Sequence, residues 1–326
     1  MPQVNNILVP LELHENAAPV VTWAALMARA TGSRLTVLHV NESLELIKNR
    51  PGLHGGGSSE VDVTVEKWRN IYEQNARLEL ERLATSLCAG IAIETRLLEG
   101  RAHARILETL ESAPHDLVVL GTHGRPWYQR VLLGSTAETV LRASSVPVLI
   151  VHNTAPTQPP PRLARLLFST DFNMTSMAGE EWVRYLAAHG AEEILLVHAM
   201  ENPLLDVYDP DKAEIDLPRI MAESRQHPPR SAQPFWEHAQ RVAHAKLSVL
   251  RQQFLGAPFQ GLQIEVLIRE GAAPENILKV AEQKSPDLIV MATHGRTGVR
   301  HLLLGSVTEK VIRAASCPVL AVPSRE

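Results

Sequence analysis

Cysteine is nearly absent from this chain: two residues in 326, Cys88 and Cys317, one in each half and with no metal-ligand spacing. They read as core or surface thiols of a reducing compartment, which makes the cytoplasm the expected location. An excess of positive charge is also missing. The formal net charge is −4, so there is no electrostatic case for nucleic acid or an acidic membrane surface. No apolar run reaches the length of a membrane span. The opening MPQVNNILVPLEL has neither the basic start nor the long apolar stretch of a signal peptide. The histidines are scattered: His238 and His244, six apart on one helical stretch, cannot share a metal face. No metal site and no catalytic residue is expected, and G-x-S-x-G, the nucleophile turn of many hydrolases, does not occur.

What is present begins with ordinary globular composition, 45% hydrophobic and 21% charged residues, in a chain long enough for two domains. The stretch that organises the rest is Leu120–Arg142, LGTHGRPWYQRVLLGSTAETVLR. An apolar strand-type run ends at Leu120, Gly121-Thr122-His123-Gly124 makes a tight turn, and Gly134-Ser135-Thr136 opens a helix. Glycine lets backbone come close, and the N–H groups and positive end of a helix N-terminus favour an anion. The spacing G-x2-G-x9-G-S/T differs from the P-loop and from G-x-G-x-x-G.

The same stretch returns as Ala292-Thr293-His294-Gly295 followed by Gly305-Ser306-Val307, and the echo runs wider: HDLVVLGTHGR against PDLIVMATHGR, and VLLGSTAETVLRASSVPVLIV against LLLGSVTEKVIRAASCPVLAV. Roughly half the positions in the repeated segments are identical, so the chain is an internal duplication. Each half alternates strands and helices and reads as five strands with four helices. That implies an α/β fold: two doubly wound, five-stranded parallel sheets in the order 3-2-1-4-5. The units expected are 1–152 and 163–326, joined by a Pro-rich linker at 153–162. Loops at 41–65 and 201–234 are long and irregular. In such a sheet the order reverses between the first and fourth strands, and ligands sit at the carboxyl ends there.

The residues now resemble a known family. GTHG-x9-GST (121–136), ATHG-x9-GSV (292–307), VPLE (9–12), FSTD (168–171) and the closing PVLIV and PVLAV strands are similar to those of universal stress proteins. The chain is accordingly identified as two such domains in tandem, with an adenine nucleotide alpha-hydrolase-like fold. The resemblance implies binding of ATP or AMP, with Mg left open, by a non-catalytic stress-response regulator. It implies ribose and phosphate contacts from Gly121, Gly124, Gly134, Ser135 and Thr136 in the first half. In the second half the matching positions are Ala292, Gly295, Gly305, Ser306 and Val307. Adenine falls to the acid after strand one, Glu12 or Thr170-Asp171, and to backbone after strand two. Family dimers form through the fifth strands, so the two halves are expected to pair that way within one chain, and a homodimer is left open.

Plainer readings stand beside these. Ser135 and Ser306 precede Glu138 and Glu309 in the S-x-x-E pattern of a capping box, which needs no ligand. Either Glu would stand near the phosphates unless it binds a metal or turns away. His123 and His294 read as turn residues, His39 and His198 as structural, and Trp68 and Trp236 as core or packing residues. Arg125 and Arg296 read equally as phosphate contacts or surface charge. A nucleotide-free scaffold and a slow ATPase remain the alternatives.

Overall fold

The computed structural model describes residues 2–13, 17–42, 59–122, 133–152, 159–173, 176–201, 233–256, 258–293 and 304–323. The first half runs β1 (Asn6–Leu11), α1 (Ala17–Thr31), β2 (Arg34–Asn41), α2 (Ser59–Leu87), β3 (Ile93–Glu99), α3 (Ala102–Ser112), β4 (Leu117–Gly121), α4 (Ser135–Ala143) and β5 (Val148–Val151). The second half repeats it as β6 (Arg165–Ser169), α5 (Ser176–Ala188), β7 (Glu193–Met200), α6 (Gln233–Gln252), β8 (Gln263–Glu270), α7 (Ala273–Lys284), β9 (Leu288–Ala292), α8 (Ser306–Ala314) and β10 (Val319–Val322).

The strands form one ten-stranded sheet, β3-β2-β1-β4-β5-β10-β9-β6-β7-β8. Within each half every pairing is parallel, in the order 3-2-1-4-5 that the alternating elements predict. The halves join where β10 runs antiparallel to β5, Leu320 opposite Leu149. The central strands are buried on both faces, which is why β1, β4, β5, β9 and β10 read as unbroken apolar runs. One core lies under α1, α2, α5 and α6 and includes Trp23, Leu80, Trp182 and Leu247. The other lies under α3, α4, α7 and α8 and includes Ile106, Val140, Ile277 and Val311. Both cores run across the seam between the halves.

A repeated carboxylate sets the strand register. Asp116 Oδ2 accepts from the N–H of Asn5 at 2.8 Å and of Asn6 at 3.0 Å, and Asp287 Oδ2 accepts from Ala164 and Arg165, both at 2.8 Å. The aspartates before β4 and β9 thus satisfy the first donors of β1 and β6.

One expectation is corrected at α2. It begins at Ser59, seven residues before the apolar periodicity predicts, and Trp68 does not pack inward. Trp68 is 67% exposed, Ile71 50% and Leu78 64%, whereas Ala76, Leu80 and Leu83 are buried. From Glu66 through Asn75 nearly every residue faces solvent. A helix stretch that turns most of its residues to solvent carries little inward stripe, so periodicity follows it poorly. Trp236, by contrast, packs against Met200, Ala239 and Ala243.

Candidate functional site

The strand order reverses between β1 and β4 in the first half and between β6 and β9 in the second, and the site residues gather at the carboxyl ends of these strands. Gly121 ends β4 and Ala292 ends β9. Glu12 follows β1, and Thr170-Asp171 follow β6. Gly134 and Gly305 are the N-cap residues of α4 and α8, with Ser135-Thr136 and Ser306-Val307 as the first helical residues. Gly124 and Gly295 lie outside the described residues, as do His123, His294, Arg125, Arg296 and most of the loops 41–65 and 201–234.

Each helix start is pinned to its strand end. The Gly134 N–H donates to the Thr122 carbonyl at 2.9 Å, and the Gly305 N–H to the Thr293 carbonyl at 2.6 Å. These threonines are buried and tied back to the last strand, Thr122 N–H to Val151 O and Thr293 N–H to Val322 O. Glycine is needed at 134 for space, not for conformation. Its φ of −61° suits any residue, but a Cβ there would stand 2.9 Å from the Thr122 carbonyl oxygen.

The capping box is corrected. The cap residue is glycine, no side chain caps either helix, and Ser135 and Ser306 sit inside the helix, exposed. The first intrahelical bonds run from Glu138 N–H to Gly134 O and from Glu309 N–H to Gly305 O. The N–H groups of the three residues between have no acceptor within the helix, which leaves a cluster of donors at its positive end.

Glu138 and Glu309 have turned away. Arg142 holds Glu138 at 3.0 Å and Arg313 holds Glu309 at 2.8 Å; the pairs also cross the seam, Arg142 to Glu309 at 3.6 Å and Arg313 to Glu138 at 3.8 Å. The four charges close on each other, so neither carboxylate is left to oppose an anion at the helix start. Among the described residues no group of three His, Cys, Asp or Glu gathers in a way that could hold a metal ion. No helix among them is long and apolar enough to cross a membrane.

The turn after β6 in the second half is laced by side chains. Thr170 Oγ1 accepts from the Phe172 N–H at 3.1 Å and donates to Ser176 Oγ at 3.1 Å, and Ser176 Oγ donates to the Asn173 carbonyl at 2.7 Å. Asp171 accepts from the Asn173 N–H at 3.1 Å and from its side-chain amide at 3.0 Å. Phe172 has φ of 62°, a strained value for a bulky residue, and its ring lies 4.4 Å from that of His198. Lys246 Nζ stands 5.1 Å from the same ring.

Sequence reasoning reads His39 and His198 as structural, and the structure bears this out and adds what each one holds. His39 Nδ1 lies 2.8 Å from the Leu11 carbonyl, and His198 Nδ1 lies 2.8 Å from the Thr170 carbonyl, each 28 residues back. Each imidazole therefore holds the residue just before the candidate adenine acid. Equal spacing in both halves was the available signal. Burial lowers the pKa of His39 below its ordinary 6.5, against the opposing pull of the Leu11 carbonyl and the Glu12 charge.

Comparison with known proteins gives the duplication a family. The family model described as Universal stress protein family matches the chain twice, over residues 3–152 and 163–323. A universal stress protein of Mycolicibacterium smegmatis is 25% identical over 319 residues, covering 98% of this chain and 97% of that one. The single-domain universal stress protein MJ0577 of Methanocaldococcus jannaschii is 27% identical over 158 residues, 48% of this chain and 93% of its own. The crystal structure of a universal stress protein from Archaeoglobus fulgidus superposes with a TM-score of 0.58 at 21% identity, covering 99% and 98% of the two chains.

Proposed function

The chain belongs to the universal stress protein family, and on that premise we propose that it binds ATP or AMP at the strand-one/strand-four crevice of at least one half. It acts as a non-catalytic regulator of the stress response in the cytoplasm. One observation carries this reading. In both halves a glycine N-cap fastens a helix start, with its open N–H donors, to the end of strand four, and an acid follows strand one, the neighbouring strand at the point where the strand order reverses.

In the second half Asp171 accepts from the adenine amine. The N–H groups of Ser306 and Val307, with Gly295, take ribose and phosphate oxygens, and the exposed Ser306 hydroxyl assists. A carboxylate has about four lone-pair positions, so Asp171 can accept a further donor beside the two from Asn173. In the first half Glu12, Gly124, Ser135 and Thr136 take the same parts, and Gly121 with Gly134, like Ala292 with Gly305, frames the site by backbone, the N–H of Gly134 and of Gly305 being donated to a threonine carbonyl. Glu138 and Glu309 are committed to arginines, so any Mg accompanying the nucleotide is held by phosphate oxygens and water.

The units of this reading are 1–152 and 163–326 with the linker 153–162, paired through the last strands. Among the described residues no general base stands at either helix start, which keeps slow ATP hydrolysis a lesser alternative. A nucleotide-free scaffold has one observation in its favour: both carboxylate oxygens of Asp171 already have partners within the turn. Calorimetric titration with ATP separates the readings. Saturable heat with a matching rise in thermal midpoint supports binding; neither response at millimolar ATP leaves the scaffold.

A further inference from the structure

We propose that His39 and His198 are positioning residues for the nucleobase side of the two crevices: each fixes the carbonyl that precedes the base-binding acid. This inference rests on the nucleotide reading above and deepens it.

The bond pattern sets the tautomer. His39 is 5% exposed and His198 1%. A backbone carbonyl only accepts, so in each ring the proton is on Nδ1, donated to Leu11 O or Thr170 O at 2.8 Å. In a neutral ring Nε2 then carries a lone pair. In the first half Tyr72 of α2 uses it: its hydroxyl lies 2.6 Å from His39 Nε2. Tyr72 O–H to Nε2, then Nδ1–H to Leu11 O, is a chain of two hydrogen bonds that begins on α2. It ends one residue before Glu12. Burial favours the neutral ring that this chain requires.

The second half keeps the clamp and changes the lock. The face of α6 that packs near this site carries Ala239 and Ala243, buried against Met200 with Phe172. The Phe172 ring packs against His198, tilted 40° with centroids 4.4 Å apart, where in the first half the aromatic partner of the histidine is Tyr72. The clamp therefore holds Thr170 O directly before Asp171, while Thr170 Oγ1 laces the turn from its other side. A shift of about 1 Å in a binding acid is enough to lose a hydrogen bond to a ligand, so the carbonyl that anchors it sets base affinity without touching the base.

The amide variants test this in the full chain, made in both halves at once so that the result does not depend on which half is occupied. His39→Asn with His198→Asn keeps a donor near the Nδ1 position; His39→Gln with His198→Gln moves it toward Nε2. ATP affinity is expected to stay within about twofold in the Asn pair and to weaken about fivefold in the Gln pair, the size of one hydrogen bond. Both pairs lower the thermal midpoint, because both remove buried ring volume. Equal affinity in the two pairs, whether native or weakened, overturns the inference, since a ring that only fills space would not tell them apart. Failure of the unmodified chain to bind ATP overturns the nucleotide reading and this inference with it. A check that needs no nucleotide and no substitution is the 15N spectrum of the histidine rings. Both rings are expected as the Nδ1–H tautomer; the Nε2–H tautomer at either one contradicts the clamp.

Discussion

Around the first strand of each half, one pattern of parallel strand pairing carries two sets of side chains. In the second half Thr170 and Ser176 join the ends of the turn after β6, and Asp171 ties in Asn173. In the first half the matching positions are Leu11 and Ala17, which have no hydroxyl to offer, and the acid is Glu12, longer by one methylene and exposed. At the other wall Thr308 Oγ1 donates to the Ala292 carbonyl at 2.7 Å, whereas the first half has Gly121 and Ala137 at the matching positions. The second crevice is held in shape by its own side chains. A site held in shape beforehand gives up less entropy on binding, so on the proposed reading the second half is expected to be the better nucleotide site of the two.

The largest effect that tests this contrast comes from the helix-start glycines. Gly305→Val is expected to abolish binding at the second half, a loss of at least about 100-fold, because it puts a branched side chain at the helix start proposed to hold phosphate, where the Gly305 N–H is bonded to the Thr293 carbonyl. Gly134→Val meets the Thr122 carbonyl, which a Cβ would approach to 2.9 Å, and should cost about 1–3 kcal/mol of stability as overpacking does. Titration and thermal melting of both variants separate lost binding from lost folding. If Gly134→Val removes more ATP binding than Gly305→Val, the ranking of the halves is reversed.

Next in size is the acid. Asp171→Ala should weaken the tighter ATP site by about tenfold, and Glu12→Ala should leave it within about twofold, on the usual value of a hydrogen bond to a charged acceptor. A smaller loss, about threefold, is expected for Ser176→Ala, which unlaces the turn but leaves Asp171 in place. No change in Ser176→Ala would mean the lacing does not prepare the site.

The seam should be the least sensitive to substitution. Its four charged side chains are 22–34% exposed, so a double-mutant cycle between Arg142→Ala and Glu309→Ala should give a coupling near 0.5 kcal/mol, falling with added salt. A coupling several times larger would make this cluster, rather than the apolar β5–β10 edge, what holds the halves together.

Much of this was legible in the chain itself. The strand order follows from the alternation of elements and the duplicated segments, and the three strand-end and helix-start positions of each crevice follow from the glycines. Trp68 was not legible, because an exposed helix turn and a buried one can carry the same residue types. Nor were the arginine partners of Glu138 and Glu309. The S-x-x-E spacing fits a capping box, but the Arg four residues further on, and its counterpart across the seam, compete for the carboxylate and win. The His39–Tyr72 pair joins residues 33 apart on different elements, a contact that only the fold supplies. His39 is otherwise a polar residue in an apolar strand with no local motif to explain it.

Acid should reveal the buried histidines in the same way. Burial lowers the pKa of His39 and of His115 in the folded chain below the ordinary 6.5. The unfolded chain therefore binds more protons over the interval between the folded and ordinary values. Stability from these two groups is complete above pH 6.5 and is lost as pH falls through that interval. A thermal midpoint that rises from pH 7 to pH 5.5 would contradict the sign.

The most direct test of the central claim is the calorimetric titration of the full chain with ATP, repeated with Asp171→Ala. The account predicts saturable binding in the native chain and loss of its tighter component in the variant. Saturable binding that Asp171→Ala leaves untouched, or no binding at millimolar ATP, would contradict it.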